Sequence, residues 1–132
     1  MLDFELGIPP EQLSPLTLAF VGDAVYETYI RTRLAKDVNM QVSKLHKLAV
    51  KYVSAVAQSK IVHTLEDVFT EEELSVYKRG RNAHPHTSAK NADIVDYRHA
   101  TGFEALIGYL YLKKESQRLD ELLGLSFDAV KE

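Results

Sequence analysis

Hydrophobic residues recur at helical spacing along most of this chain. After Ser14 and Pro15, the residues from Leu16 to Leu34 are apolar on most sides of a helix. Serine can cap the free amides at a helix start, and proline fits the first helical position. The pattern therefore predicts a central, largely buried helix from residue 15 to about residue 34.

The same spacing predicts three more helices before residue 81. An apolar stripe indicates a second helix over about 42–58, and a short third helix is expected near 61–65. Thr70 and Glu73 match the reciprocal capping pattern, in which each side chain bonds the other's backbone amide. We expect that fourth helix to end at Gly80.

The segment 80–91 lacks an apolar period and is rich in turn-forming residues, which is typical of an exposed loop. A long helix is predicted over about 93–113. Ser116 and Ser126 are candidate caps for two short closing helices separated by Gly124. Sustained alternation of apolar and polar residues is missing, so the pattern predicts an all-α protein of six to seven helices.

Composition limits the possible classes of protein. The 132 residues fit one domain, which we assign to residues 1–132. The lack of cysteine excludes a disulfide scaffold and cysteine-ligated zinc, and it agrees with a reducing cytoplasm. The sequence start lacks the order of a secretory signal, and acids interrupt the most apolar runs. We therefore expect a soluble cytoplasmic protein without membrane association.

The net charge of −3 argues, taken alone, against nucleic-acid binding, but its distribution does not. The residues from Lys78 to Ala92 include four cations and no acid, whereas acids crowd the segment 66–73. One surface of the fold is therefore expected to be positive. The alternative is an ordinary solvated loop, because charge runs between helices are common.

Two carboxylates, Asp23 and Glu104, stand inside the two most apolar stretches of the chain. A buried charge costs several kcal/mol unless a partner, a proton or a metal compensates it. One possibility is that each acid pairs with a basic residue of the core, for which Arg31, Arg98 and His99 are available. The other is that two helices cross and bring both acids onto one hard cation such as Mg²⁺, which needs only one or two carboxylates.

Other chemistries have weaker support in the sequence. His84 and His86 with His99 could form a transition-metal site, but a proline separates the first two and acids are lacking nearby. The sequence contains no glycine-rich phosphate loop and no serine nucleophile motif.

The two acids stand in two motifs, Leu-Ala-Phe-Val-Gly-Asp-Ala-Val at 18–25 and Gly-Phe-Glu-Ala-Leu-Ile-Gly at 102–108. These motifs resemble those of the ribonuclease III family, most closely its short bacterial branch, mini-ribonuclease III. The first is similar to the family signature Leu-Glu-Phe-Leu-Gly-Asp-x-Val, and the second is similar to another family segment. The segments 78–83 and 90–93 resemble the short branch.

The chain departs from the full-length pattern at two of four acidic positions. Ala19 and Thr101 stand where the family motifs have glutamate and aspartate, so only Asp23 and Glu104 remain. The short branch is similarly reduced, which indicates a simpler metal site and puts a two-metal mechanism in doubt. A separate double-stranded-RNA-binding domain is also expected to be absent, so the catalytic domain itself would grip the substrate.

The resemblance implies a ribonuclease III-like endonuclease domain that works as a homodimer with Mg²⁺ as cofactor. It implies cleavage of double-stranded RNA by metal-activated water, leaving 5′-phosphate and 3′-hydroxyl ends, and maturation of precursor 23S ribosomal RNA. A ribosomal protein bound to the substrate is a further candidate partner. An alternative is a non-catalytic RNA-binding or ribosome-assembly module of the same fold, and another is a helical scaffold whose acids only form ion pairs.

The resemblance also assigns roles to individual residues. Asp23 and Glu104 would be both the catalytic residues and the metal ligands. Phe20 matches a phenylalanine at the subunit interface, although it could be an ordinary core aromatic. The expected RNA-binding residues lie in or beside the cationic segment: Lys78, Arg79, Arg81, Asn82, His86, Thr87, Ser88, Lys90 and Asn91.

Overall fold

The computed structural model describes residues 3–37, 39–83 and 93–131, and within these ranges it contains helices but no strand. The prediction of an all-α protein with six to seven helices is confirmed. The six α-helices are α1 (Pro15–Ala35), α2 (Val42–Val53), α3 (Ala55–Leu65), α4 (Glu71–Asn82), α5 (Asp93–Leu112) and α6 (Ser116–Lys131). Two short 3-10 helices span Pro10–Gln12 and Glu66–Val68.

Helix α5 forms the centre of the fold and packs against α1, α3 and α4. Of the eleven residues of α5 from Ala100 to Leu110, all except Glu104 are buried. Helix α1 packs mainly against α5 and also contacts α2, but its opposite face is exposed, so the prediction that it is largely buried is wrong. Phe20 and Ala24 lie on its open face.

Helices α1 and α5 touch through their backbones. A Cβ atom added to Gly22 would lie 1.7 Å from the backbone oxygen of Glu104, and one added to Gly108 would lie 1.9 Å from that of Leu18. Such distances leave no room for a side chain. Gly22 therefore permits the close approach of another backbone.

Two predicted helix boundaries are wrong for local reasons. The segment 42–58 divides at Ser54, whose extended backbone (ψ 156°) ends α2 and whose Oγ accepts from the amide of Ala57 at 3.2 Å. Helix α4 continues past Gly80 to Asn82. Gly80 allows packing instead, because an added Cβ would lie 2.7 Å from the Cβ of Ala105.

The capping signals in the sequence were correct for α4 and misleading for α6. The predicted reciprocal cap of α4 is confirmed, with Thr70 Oγ1 accepting from the amide of Glu73 at 3.1 Å. The two predicted closing helices are one continuous α6. Ser126 lies inside it and donates its hydroxyl to the carbonyl of Leu122 at 2.7 Å, so it does not cap a new helix.

A helix that spans a membrane needs a long, almost uninterrupted run of apolar residues. Among the residues described, none of the helices is both long enough and apolar enough to cross a membrane.

Candidate active site

Asp23 and Glu104 meet where α1 crosses α5. Asp23 follows Gly22, whose Cα packs on the backbone of Glu104, so the crossing itself places the two acids beside each other. Both line one cleft of about 390 Å³ between α1, α3 and α5. The expectation that the two helices bring these acids together is supported by this geometry. The other residues that line the cleft are Leu16, Ala19, Phe20, Val53, Ala55, Gln58, Tyr97, Ala100 and Thr101.

The two acids differ in burial. Glu104 is largely enclosed by the cleft wall, whereas Asp23 is exposed on the open side of α1. The prediction that both acids are buried is therefore wrong for Asp23. Its neighbour Gly22 faces α5, and the next residue along the helix turns away from that contact.

Glu104 lies in surroundings that oppose its ionisation. Burial raises the pKa of Glu104 to about 8, and the carboxylates of Asp23 and Glu27 act in the same direction. The Nε2 of Gln58 donates a hydrogen bond to Glu104 Oε2 at 3.3 Å, which favours the ionised form but does not outweigh the other effects. A cation placed in the cleft would lower this pKa again.

The candidate basic partners of the two acids are engaged elsewhere or lie apart. Arg31 pairs with Glu27 at 3.0 Å, and the ring of His99 shares a 2.5 Å hydrogen bond with the hydroxyl of Tyr77. Arg98 is exposed on α5. Among the side chains that the structure describes, no ion pair compensates Asp23 or Glu104.

The donor set of the cleft fits a hard cation. Asp23 and Glu104 offer only oxygen atoms, which Mg²⁺ prefers, and Mg²⁺ commonly keeps several waters beside one or two carboxylates. Within the described ranges, no group of three or more histidine or acidic side chains could hold a metal. Gln58 also lines the cleft, and its buried Oε1 has no hydrogen-bond partner among the described residues.

The two positions at which this chain lacks the acids of the family motifs also line the cleft. Ala19 and Thr101 are both buried, at 7% exposure each. Thr101 donates its hydroxyl to the backbone oxygen of Tyr97 at 2.9 Å, so that group is committed to its own helix. The cleft wall at these positions is small and uncharged.

The expected RNA-binding residues divide between described and undescribed parts of the chain. Lys78, Arg79 and Asn82 are exposed near the end of α4. Arg81 is half-buried, with its guanidinium 5.8 Å from the ring centre of Tyr77 and its Nε donating to Asn82 at 3.2 Å. The remaining expected residues lie outside the described ranges: His86, Thr87, Ser88, Lys90 and Asn91, together with His84 of the histidine-cluster hypothesis.

Phe20 is the most exposed of the large hydrophobic residues, with 81% of its surface accessible. The alternative that it is an ordinary core aromatic is therefore wrong. Phe20 lines the acidic cleft and also a neighbouring groove of about 530 Å³ on the outer face of α1, which reaches Thr28 and Tyr111.

Sequence reasoning missed Gln58, which is 2% exposed and contacts Glu104. The available signal was a long polar side chain at a position where the helical pattern predicts core, between Ala57 and Ile61. Its partner could not be identified from the sequence because it lies 46 residues away.

Comparisons with known proteins agree with this geometry. The ribonuclease III domain family matches residues 16–115. A mini-ribonuclease 3 of Brevibacillus brevis is 51% identical over 126 residues, which cover 96% of this chain and 94% of the relative. A mini-ribonuclease 3 of Clostridium tetani is 50% identical over 123 residues, which cover 92% of this chain and 82% of the relative.

A solved structure shares the fold. The crystal structure of a Fusobacterium nucleatum protein superimposes with a TM-score of 0.80 at 29% identity, covering 89% of this chain and 93% of that protein. The family match covers most of the chain, and the relatives are half identical over nearly their whole length. This chain therefore belongs to the ribonuclease III family, in its mini-ribonuclease III branch, and is an endoribonuclease.

Proposed function

We propose that this endoribonuclease is magnesium-dependent and cleaves double-stranded RNA, leaving 5′-phosphate and 3′-hydroxyl ends. The observation that carries the proposal is the convergence of Asp23 and Glu104 in one cleft, with no cationic side chain compensating either acid among the described residues. Two uncompensated carboxylates at a helix crossing are a costly arrangement that a bound divalent cation would relieve.

Asp23 and Glu104, which line the same cleft, would hold the cation. When bound, such an ion supplies charge neutralisation at a phosphodiester and lowers the pKa of water. Glu104 acts from the buried side and must release a proton before it can ligate, because its pKa is raised to about 8. Asp23 acts from the exposed side, where the phosphate backbone of a substrate can approach.

Residues at the end of α4 and in the segment that follows it would bind the RNA duplex. Lys78, Arg79, Arg81 and Lys90 supply charge for phosphates. Proteins recognise A-form RNA mainly through phosphates, 2′-hydroxyls and shape, so neutral hydrogen-bonding groups are suitable neighbours. We propose Asn82, His86, Thr87, Ser88 and Asn91 in that role.

The active form would be a homodimer joined through the open face of α1. Phe20 supports this proposal because it is 81% exposed and lies one helical turn from Leu16, which is 39% exposed, and clustered exposed apolar side chains mark interaction surfaces. Since Phe20 also lines the acidic cleft, a dimer built on this face brings two clefts near each other. Phe20→Ser should halve the molecular mass in solution, whereas Val56→Ser, at a 63% exposed position on α3, should not.

The biological substrate we propose is precursor 23S ribosomal RNA in the cytoplasm, with a ribosomal protein bound to the RNA as a further partner. The catalytic unit would be residues 1–132. The half-identical mini-ribonuclease 3 relatives support assignment to this branch.

Incubation with long double-stranded RNA tests the proposal. Cleavage should require Mg²⁺, stop with a chelator and be lost in Asp23→Asn, while Asp128→Asn, at an exposed acid of α6, should cleave normally. Retention of RNA without cleavage would favour the non-catalytic RNA-binding or ribosome-assembly module. Neither retention nor cleavage would favour a helical scaffold.

A further inference from the structure

We propose that Gln58 is a positioning residue for Glu104, which it holds in the orientation needed to ligate a cation. This inference rests on the proposed function and concerns a side chain that offers no charge to the site. The Nε2 of Gln58 lies 3.3 Å from Glu104 Oε2 and 3.0 Å from the backbone oxygen of Val53. One amide group thus joins the candidate ligand to the backbone at the end of α2.

The break between α2 and α3 creates the anchor for Gln58. In a continuous helix, the carbonyl of Val53 would accept from the amide of Ala57, but Ser54 Oγ takes that amide at 3.2 Å. The freed carbonyl of Val53 accepts from Gln58 instead. The preceding carbonyl, that of Tyr52, is likewise satisfied by a side chain, the hydroxyl of Tyr26 at 2.7 Å.

The hydrogen bond from Gln58 restrains the carboxylate of Glu104. With Nε2 bound to both Val53 and Glu104 Oε2, the rotation of the carboxylate is limited. Groups that hydrogen-bond a ligating side chain fix its orientation, and losing one typically weakens metal affinity about 10- to 100-fold. Gln58 has the position and the donor for this role.

Packing alone does not explain a glutamine here. Gln58 is 2% exposed, yet its Oε1 has no partner among the described residues. An unsatisfied buried acceptor destabilises a fold, and an apolar residue of the same shape would avoid that cost. A residue that is unfavourable for stability and adjacent to a candidate ligand is explained by the site it supports.

The test compares Mn²⁺ affinity, measured by electron paramagnetic resonance, in the wild-type protein and in Gln58→Met. Methionine keeps the length of the side chain but has no N–H donor. We expect Mn²⁺ affinity to fall about tenfold or more, with thermal stability in chelator unchanged or increased. Gln117→Met, at an exposed position of α6, should bind Mn²⁺ as the wild type does.

A measurement on the unmodified protein covers the case in which Gln58→Met does not fold. Adding Mg²⁺ should shift the side-chain amide resonances of Gln58 in a nitrogen–proton correlation spectrum, because the carboxylate that accepts from this amide becomes a ligand. Unmoved resonances, or equal Mn²⁺ affinity in wild type and folded Gln58→Met, would overturn the inference alone. A wild-type protein that binds no Mn²⁺ would overturn the proposed function itself.

Discussion

Glu73 and Glu104 are both enclosed glutamates on helices, but their surroundings are opposite. Glu73, 4% exposed, accepts from Arg118 through both oxygens at 2.8 Å and from the amide of Thr70 at 2.9 Å. Burial alone would raise the pKa of Glu73, but these hydrogen bonds lower it below its ordinary value. Glu104 has one neutral donor, Gln58, and its pKa is raised to about 8.

The comparison separates an acid that stabilises the fold from one available for chemistry. Glu73 caps α4 and ties it to α6 through Arg118, so its charge is used within the protein. Glu104 has no such compensation among the described residues, and it faces a cleft with a second acid. Burial alone therefore does not distinguish the two glutamates, whereas the presence or absence of a cationic partner does.

The largest expected effects come from substituting the two acids, and the two substitutions should affect cleavage and stability in opposite ways. Glu104→Gln should lower RNA cleavage by about 10⁴-fold or more. Its stability in chelator should be unchanged or increased, because an uncompensated carboxyl is removed. Glu73→Gln should destabilise the fold by about 2 kcal/mol, because it removes the charge that accepts two hydrogen bonds from Arg118 and leaves that arginine its more exposed partner Glu121. It should retain cleavage per folded molecule. Urea denaturation and initial cleavage rates measure both, and the same pattern in both variants would contradict the comparison.

A backbone change tests whether the helix crossing sets the position of Glu104. Gly22→Ala would place a Cβ 1.7 Å from the backbone oxygen of Glu104, so the two helices must separate. We expect a loss above about 4 kcal/mol in urea denaturation, in the range that marks severe overpacking. The control is Gly124→Ala, whose nearest atom would be Tyr29 OH at 3.8 Å; it should stabilise α6 slightly.

The two glutamates should also impose opposite pH dependences on stability. In chelator, the folded chain holds a proton on Glu104 that the unfolded chain has released, so its contribution to the free energy of unfolding should fall as pH rises from 4.5 towards 8. Glu73, with a lowered pKa, stabilises above its ordinary pKa, and that contribution is lost as pH falls through its folded pKa.

Substitutions show which glutamate causes each part of the pH dependence of stability. Glu104→Gln should flatten the change between pH 5 and 8, and Glu73→Gln should reduce the loss in acid. Urea denaturation at a series of pH values measures both. A wild-type profile that is flat from pH 5 to 8 and identical to that of Glu104→Gln would show that Glu104 is not protonated at neutral pH.

The smallest expected effect concerns an arginine at the end of α4, which differs from the arginine that pairs with Glu73. Arg118 is committed to Glu73, whereas Arg81 lies beside Asn82 and the ring of Tyr77 at the end of α4. Arg81→Ala should weaken duplex RNA binding and reduce its salt slope by about 1, as expected for one phosphate contact. Fluorescence anisotropy with Asp23→Asn protein measures this without cleavage. Binding that is unchanged across the salt series would exclude Arg81 from the RNA surface.

The element types were predictable because periodicity and capping act locally. The Thr70 and Glu73 cap needs only residues three positions apart, and its geometry is confirmed. The break at Ser54 was not predictable, because neither glycine nor proline marks it and the apolar stripe continues through it. Ser126 misled for a related reason, since a serine hydroxyl can also bond the carbonyl four residues earlier inside a helix.

The candidate site was predictable only in part. The motif residues Asp23 and Glu104 were identified from the sequence, but the exposure of Asp23 depends on which helices cover α1. That coverage is a tertiary property with no local signature. Gln58 was missed for the same reason, because its significance comes from Glu104, 46 residues away.

The contact between Gly22 and Gly108 also determines whether the two acids are brought together during folding or during RNA binding. Because main-chain atoms of α1 and α5 touch directly, no side-chain rotamer change can alter the spacing of the two helices. The backbone positions of Asp23 and Glu104 relative to each other are therefore fixed during folding and do not have to be established at each encounter with RNA. The entropy of bringing these two distant parts of the chain together is lost once, before any substrate arrives.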